Sequence, residues 1–368
     1  MAATDVEECT VNNEQLKIKI LCIVCCCIVV IFAVGCQLPR QNITAETSFF
    51  QNTEAVFAEF ETSKLNVSAT TIFQKPATTV NTTQAADFSS AAEASTIPAT
   101  TETNSVTMQN SVSATCAGLY NAKTMECLYE QSADNKIYPA SLTKIVTACT
   151  ALKYVSPDTI FTVGTEQRLV PKGSSLCLIK SGHRLNLRDL LTGMLMCSGN
   201  DAAYTVAVNV AREVSGNTDM SDYEAVTYFT KLMNDFAVSI GAVNSNFLNP
   251  DGWDVENQYS TVYDLALISA YAIQIDEIRN IVSSQSKYVV FASGENITWH
   301  NTNALLQPDS KYYLPQAIGL KTGTTAKAGN CLIAVVDIDG DEYIAVVTGC
   351  KSNDERYASV HELIKRIM

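Results

Sequence analysis

Ser141-Leu-Thr-Lys144, Ser198-Gly-Asn200 and Lys321-Thr-Gly323 stand in this order along a chain of 368 residues, and together they describe one kind of chemistry. A serine and a lysine three residues apart share a helical face, so the amine is carried towards the hydroxyl. Serine is a poor nucleophile until a base removes its proton. Lysine can be that base once burial or a neighbouring cation lowers its pKa from about 10.4. The three strings thus outline an acyl-transfer site that uses serine and lysine without histidine. Each string alone is weak, since Ser-x-x-Lys recurs at Ser284 and Lys287, and Ser-x-Asn at Ser215 and Asn217. Ser284 lies in a polar stretch with no apolar helix after it, and Ser215-Gly-Asn217 reads as a helix stop.

The elements around the strings give each residue a task. Ser141 follows Tyr138-Pro139-Ala140 and opens an apolar-periodic helix, whose N-terminal N–H groups lie near a reacting carbonyl. Ser198 comes after LLTGMLMC and before Asp-Ala-Ala, a turn between two buried helices. Its hydroxyl could relay a proton to a leaving amine, while the Asn200 amide could bond a substrate backbone or position Lys144. Lys321 and the Thr322 hydroxyl, on a strand edge, suit a substrate carboxylate. Gly323 lets a substrate backbone pair closely with that edge. The N–H groups of Ser141 and Thr324 are candidate oxyanion donors.

These positions require an α+β scaffold. SATCAGLYNAKTMECLYEQ reads as a hairpin, and CLIAVVDIDGDEYIAVVTGC as a second one turning at Asp339-Gly340, with a further strand over 317–325. Apolar residues recur at helical spacing over 141–155, 185–198, 200–214, 223–241 and 260–273. A closing helix carries Tyr357, Val360, Ile364 and Ile367 towards the sheet. Strands at both ends with helices between imply one antiparallel sheet assembled from the two termini and covered by helices.

The N-terminal third is different in kind. Residues 20–36 are an unbroken apolar run, preceded by Lys17 and Lys19 and followed closely by Arg40. Its length favours an uncleaved membrane anchor over a removable signal, and the lysines put residues 1–19 in the cytoplasm as a short tail. The alternative is a lipoprotein processing site at Ala33-Val34-Gly35-Cys36. Residues 37–112, rich in Ser and Thr, lack a sustained period and read as a disordered stalk, with sequons at Asn42, Asn66 and Asn81. A coil of about 75 residues reaches on the order of 50 Å.

A formal charge of -13 argues against nucleic acid as a partner. Of 13 cysteines, five lie in or at the end of the apolar run, where Cys22-x-x-Cys25-Cys26-Cys27 reads as small apolar residues rather than a zinc site. Cys116 and Cys127 could face each other across the first hairpin, close enough for a disulfide. His183, His300 and His361 are scattered, with no His-Glu-x-x-His string, so no metal and no cofactor is expected.

YPASLTK, MLMCSGNDAA, NSNFLNPDG, QYSTVYDLA, NTNALL and GLKTGTTAKAGNCLIAVV carry a resemblance over roughly residues 113–368. These strings resemble the serine-type D-Ala-D-Ala carboxypeptidases, the low-molecular-mass penicillin-binding proteins of the peptidase S11 family. The resemblance implies the β-lactamase/DD-peptidase-like fold. It also implies Ser141 as acylated nucleophile, Lys144 as base, Ser198 as proton relay and Lys321 as anchor for a terminal carboxylate. Peptidoglycan stem peptides would be the substrates, β-lactams the inhibitors, and residues 113–368 the catalytic domain, held outside a bacterial membrane. Relatives generally carry histidine where Asp251 stands in Asn-Pro-Asp-Gly. Many also continue into a β-rich domain and a C-terminal amphipathic anchor, whereas this sequence ends at the closing helix and its N-terminal segment would do the tethering. Two alternatives use the same strings: a β-lactamase, against which stands the lack of a Glu-x-x-Leu-Asn string, and a catalytically silent wall-binding or β-lactam-sensing module.

Overall fold

Cys331-Leu-Ile-Ala-Val-Val336 is apolar at every position, the pattern of a strand covered on both faces. In the computed structural model, which describes residues 111–368, it lies in β8 (Gly329–Ile338), inside a five-stranded antiparallel sheet. The other strands are β1 (Cys116–Asn121), β2 (Cys127–Gln131), β7 (Ala317–Thr325) and β9 (Asp341–Cys350), in the order β2-β1-β9-β8-β7. The sheet is therefore built from both ends of the described chain, and β7 is an edge strand.

Alternation along β8 sorts its side chains. Leu332, Ala334 and Val336 meet Leu119, Ala345 and Val347 under helix α7 (Asn353–Ile364), which lays down Tyr357, Val360, Leu363 and Ile364. Ile333, Val335, Ile344 and Val346 point the other way into the larger, helical core. Each fully buried aliphatic side chain contributes on the order of 1.5–3 kcal/mol. Ser352 starts α7 by accepting the Glu355 N–H at 3.1 Å.

The helical layer holds α1 (Thr143–Tyr154), α2 (Leu187–Met196), α3 (Asn200–Ser215), α4 (Asp222–Ser239), α5 (Val262–Ile273) and α6 (Asp276–Val282). Residues 143–151 of α1 are all buried, so this helix runs through the core and delivers its N-terminus to the sheet edge. Side-chain caps fix several starts, including Asn186 on the Asp189 N–H of α2 and a Ser221–Glu224 capping box on α4. Gly216, in the left-handed region at φ +66, ends α3, so Ser215-Gly-Asn217 is a helix stop as its sequence implied.

Three expectations change. The 141–155 helix opens as a 3-10 turn over Ala140–Leu142, and the α-helix proper starts at Thr143. Two small hairpins interrupt the helical middle: β3 (Ile160–Thr162) with β4 (Arg184–Asn186), and β5 (Ser286–Val290) with β6 (Asn296–His300). Cys127 sits opposite Tyr120, with a register shift after Leu119, while Cys116 faces Thr348 of β9. That register separates the two thiols, and no disulfide joins them. The apolar run 20–36 and residues 37–110 of the stalk lie outside the described residues. Val112, assigned to the stalk's end, is buried, and its N–H donates to Gln131 Oε1 at 3.1 Å. Among the described residues no helix is long and apolar enough to cross a membrane.

Candidate active site

Lys144 is fully buried, and its Nζ donates to Ser141 Oγ at 2.9 Å and to the Asp251 backbone oxygen at 2.7 Å. Burial lowers the amine to about 8 against the opposing pull of the carboxylates of Asp251 and then Asp201. An amine in this range is partly neutral near physiological pH and can take a proton from the hydroxyl beside it. Ser141 itself is half-buried, at the surface where α1 begins.

Two non-glycine residues here occupy the left-handed region: Ala140 at φ +48 and Ser198 at φ +59. Such backbone costs on the order of 1–3 kcal/mol and persists only where the surroundings impose it. Ala140 precedes Ser141, and its carbonyl presses on the 249–252 turn so closely that a Cβ at Gly252 would lie 1.7 Å from it. Gly252 also has φ +86, so glycine is required twice over at that position. Thr147 Oγ1 donates to the Pro250 oxygen at 2.7 Å and pins the same turn to α1.

Ser198 occupies the turn between α2 and α3, 7% exposed, and Asn200 opens α3 at 5%. The Asn200 side-chain amide donates to Asp251 Oδ2 at 2.5 Å, so it reaches Lys144 by way of Asp251 rather than directly. Asp201 holds the neighbouring 175–179 segment by accepting the N–H groups of Cys177 at 2.9 Å and Ile179 at 3.2 Å. Trp299 of the β5–β6 hairpin braces that segment through Nε1 on the Cys177 oxygen at 2.9 Å.

Across from Ser141 runs β7 with Lys321, Thr322, Gly323 and Thr324. A Cβ at Gly323 would stand 3.2 Å from the Ser141 backbone nitrogen, so a bare backbone lets the strand pass close beneath the serine. Thr324 is exposed beside it, one residue beyond the point where β7 passes Ser141. Lys321 is 1% exposed, and its Nζ donates to the Thr322 oxygen at 3.0 Å. Burial, then Lys144, then Arg356, hold its amine well below the usual lysine range. Contacts thus bring Ser141 and Lys144 together, join Asn200 to Lys144 through Asp251, and lay Gly323 beside Ser141, with Lys321 close enough to feel the Lys144 charge; Ser198 stands on the turn that leads into Asn200.

Three neighbours escaped the sequence reading. Arg356, reaching from α7, donates through Nη1 to the Gly323 oxygen at 3.3 Å and Thr324 Oγ1 at 3.2 Å. Its signal was its spacing, four residues before Val360 on the buried stripe. Thr302 meets the Thr322 hydroxyl at 3.0 Å, and its N–H donates to the Met196 oxygen at 3.0 Å, tying β7 to the end of α2. Asp251 is the third, since the Asn-Pro-Asp-Gly string gave it no role. The decoys stay apart from this cleft: Ser284 Oγ donates to the Asn280 oxygen at 2.7 Å, and Lys287 is exposed on β5.

The family model for D-alanyl-D-alanine carboxypeptidases, peptidase S11, matches residues 101–352. The chain belongs to this family. Among S11 relatives, D-alanyl-D-alanine carboxypeptidase DacF of Bacillus subtilis is 29% identical over 251 residues, which cover 67% of this chain and 60% of that protein. DacD of Salmonella typhimurium is 33% identical over 242 residues, covering 62% of this chain and 55% of the relative. The chain thus matches less than two-thirds of the length of these relatives. The crystal structure of the Streptomyces K15 DD-transpeptidase superposes with a TM-score of 0.63 at 27% identity, covering 70% of this chain and 97% of that one. Penicillin-binding protein D2 of Listeria monocytogenes, solved in an ampicillin-bound form, gives 0.56 at 28% identity, covering 69% and 97%. The fold is the α+β DD-peptidase fold expected from the sequence.

Proposed function

We propose that this S11 protein is a serine-type D-Ala-D-Ala carboxypeptidase that removes the terminal D-Ala from peptidoglycan stem pentapeptides. The observation carrying this reading is the Ser141–Lys144 contact of 2.9 Å around a fully buried lysine. Neutral Lys144 takes the Ser141 proton as Oγ attacks the carbonyl carbon of the D-Ala–D-Ala bond. The oxyanion forms between the N–H groups of Ser141 and Thr324. The proton held by Lys144 passes through Ser198 to the leaving amine, the C–N bond breaks, and an ester on Ser141 remains with Lys144 neutral again. Water, deprotonated by the same base, opens the ester and restores Ser141. Lys321, with the Thr322 hydroxyl, holds the substrate's terminal carboxylate, Asn200 its backbone, and Gly323 gives it an open strand edge to pair with.

A β-lactam carries a comparable carboxylate and carbonyl and acylates the same serine. Residues 113–368 act as the catalytic domain, and the apolar run 20–36 anchors it to a bacterial membrane with the cleft on the outside. The length of that run and the lysines before it support this topology; Cys36 lipidation is the alternative. Protease access to residues 113–368 in intact cells tests the outside placement, and lipid labelling of wild type that is lost in Cys36→Ala would separate lipidation from the anchor.

The deciding experiment incubates the full chain in detergent with labelled penicillin and with a D-Ala-D-Ala peptide. Penicillin labelling together with D-Ala release is expected, and Ser141→Ala should lose both by at least about 10⁴-fold. Labelling without release would turn the reading into a sensor, and rapid penicillin turnover into a β-lactamase. The likeness to a DD-transpeptidase favours one second reading, in which an amine takes the acyl group instead of water. An added amino acceptor that lowers hydrolysis and appears in product would establish it.

A further inference from the structure

Asp251 is 1% exposed, and three contacts bind it to the surroundings of the serine–lysine pair. Its backbone oxygen accepts from Lys144 Nζ at 2.7 Å, its Oδ2 from the Asn200 amide at 2.5 Å, and its Oδ1 from the Trp253 N–H at 3.2 Å. The turn that carries it is locked by Asn249, whose side chain accepts the Gly252 N–H at 2.8 Å and donates to the Trp253 oxygen at 2.9 Å. A carboxylate so removed from water is costly unless a cation and hydrogen bonds compensate it. Asn200 of α3 supplies the bond to the carboxylate, and Lys144 of α1 stands near enough to act on it by charge while its amine bonds the backbone oxygen of the same residue. A lone structural aspartate would not need to sit between the base and the amide of two separate strings.

We propose that Asp251 is a positioning residue of the acylation site, whose main-chain oxygen orients the Lys144 amine, whose carboxylate fixes the Asn200 amide, and whose charge is the counterion of the Lys144 ammonium. This rests on the acyl-transfer reading above and deepens it. The ionisable groups that share its surroundings are Lys144 on α1, Asp201 and Tyr204 on α3, Cys177 on the segment before α2, and Lys321 of β7 beyond Lys144. Asp254, next but two along the chain, is engaged elsewhere, accepting from Thr325 Oγ1 and the Lys327 N–H.

The counterion role has a direct consequence for pH. Burial alone would press Lys144 further below about 8, and Asp251 is the largest influence holding it up. A base that is too weak ceases to hold the serine proton, so a value near the working pH is the useful one. Burial likewise raises the Asp251 carboxyl, and Lys144 opposes that rise, as a mutual pair requires. Removing the charge at 251 therefore lets Lys144 lose its proton at lower pH.

The test measures the second-order rate of penicillin acylation against pH for the full chain in detergent, comparing wild type with Asp251→Asn and Asp251→His. Asparagine keeps an oxygen acceptor for Asn200 and removes the charge; histidine is neutral above about 6.5. In both variants the rising limb should move to lower pH by at least about 0.5 unit, whatever happens to the plateau. A merely structural role would lower the rate at every pH and leave the midpoint in place. If Asp251→Asn does not fold, Asp251→His decides by the same shift. A midpoint within about 0.2 unit of wild type in a folded variant, or an upward shift, overturns the role of Asp251 alone. Absence of labelling in wild type, or labelling retained by Ser141→Ala, overturns the acyl-transfer reading and this role with it.

Discussion

The two walls of the cleft are built from similar residues and are charged in opposite ways. On the wall formed by α1, the α2–α3 turn and the 249–252 turn, the buried cation Lys144 lies among the carboxylates of Asp251 and Asp201, and its amine is bonded to Ser141 and Asp251. On the wall formed by β7 and α7, Lys321 and Arg356 are both buried, and among the described residues neither forms an ion pair. Among the described residues Arg356 Nε has no partner, and Lys321 Nζ donates to the neighbouring Thr322 oxygen. Buried cations without a counterion are costly, and an anion entering the cleft would relieve the cost. On the proposed function, the first wall would move a proton within itself and the second would receive a carboxylate from outside.

After loss of Ser141, the largest expected effect tests the first wall. Lys144→Ala leaves the serine without its base, and penicillin acylation should fall by about 10³-fold or more. In wild type the rate should rise with pH around a midpoint near 8, because only the neutral amine accepts the proton. If the alanine variant keeps that same rising limb, another group is the base and the division between the walls fails.

The second wall is tested by the substrate. Lys321→Ala should lower kcat/KM for a carboxylate-terminated D-Ala-D-Ala peptide by about 10- to 100-fold, the range for losing a charge-assisted contact, and Arg356→Ala by somewhat less. For the same peptide ending in an amide the loss should be much smaller. Equal losses on both peptides would mean that these cations hold the protein together rather than the substrate.

How much of this arrangement could be read from residues alone depends on the range of the contact. Ser141 and Lys144 meet within one turn of chain, so their spacing was enough. Strand β7 was legible because Ala317–Thr325 reads as a strand edge placed ahead of a hairpin with an Asp339-Gly340 turn. The β5–β6 hairpin was missed although Val289, Ile297 and Trp299 alternate around a Ser293-Gly294 turn, since polar neighbours diluted the pattern. Strands of three residues, like β3 and β4, are too short to show a period. Asp251 and Arg356 were invisible for a different reason. Asp251 lies 107 residues from Lys144 and 51 from Asn200, and Arg356 lies 33 residues from Gly323, so only the closed sheet reveals which groups they face. The Cys116–Cys127 expectation failed on register, because Cys127 opens β2 beside the turn, opposite Tyr120, while Cys116 lies at the far end of β1.

The smallest expected effect concerns the joint between the walls. Thr325, just past the Lys-Thr-Gly string, donates through Oγ1 to Asp254 Oδ1 at 2.7 Å, and the Lys327 N–H donates to Oδ2 of the same carboxylate at 3.0 Å. Asp254 belongs to the segment that follows the Asp251 turn, so these bonds fasten β7 to the wall that carries Lys144. Thr325→Val keeps the shape and the strand preference while removing one of the two bonds to Asp254 and the acceptor of the Ala328 N–H. The site is only half-buried and the backbone bond remains, so the stability loss should be about 1 kcal/mol. Acylation should slow by a few-fold, because the serine and the oxyanion donor of Thr324 lose part of their fixed separation. Neither the midpoint near 8 nor the preference for a terminal carboxylate should change, since the groups behind each are untouched. A variant that moved either property would show that the walls are not independent, and that the joint itself sets the charge balance of the cleft.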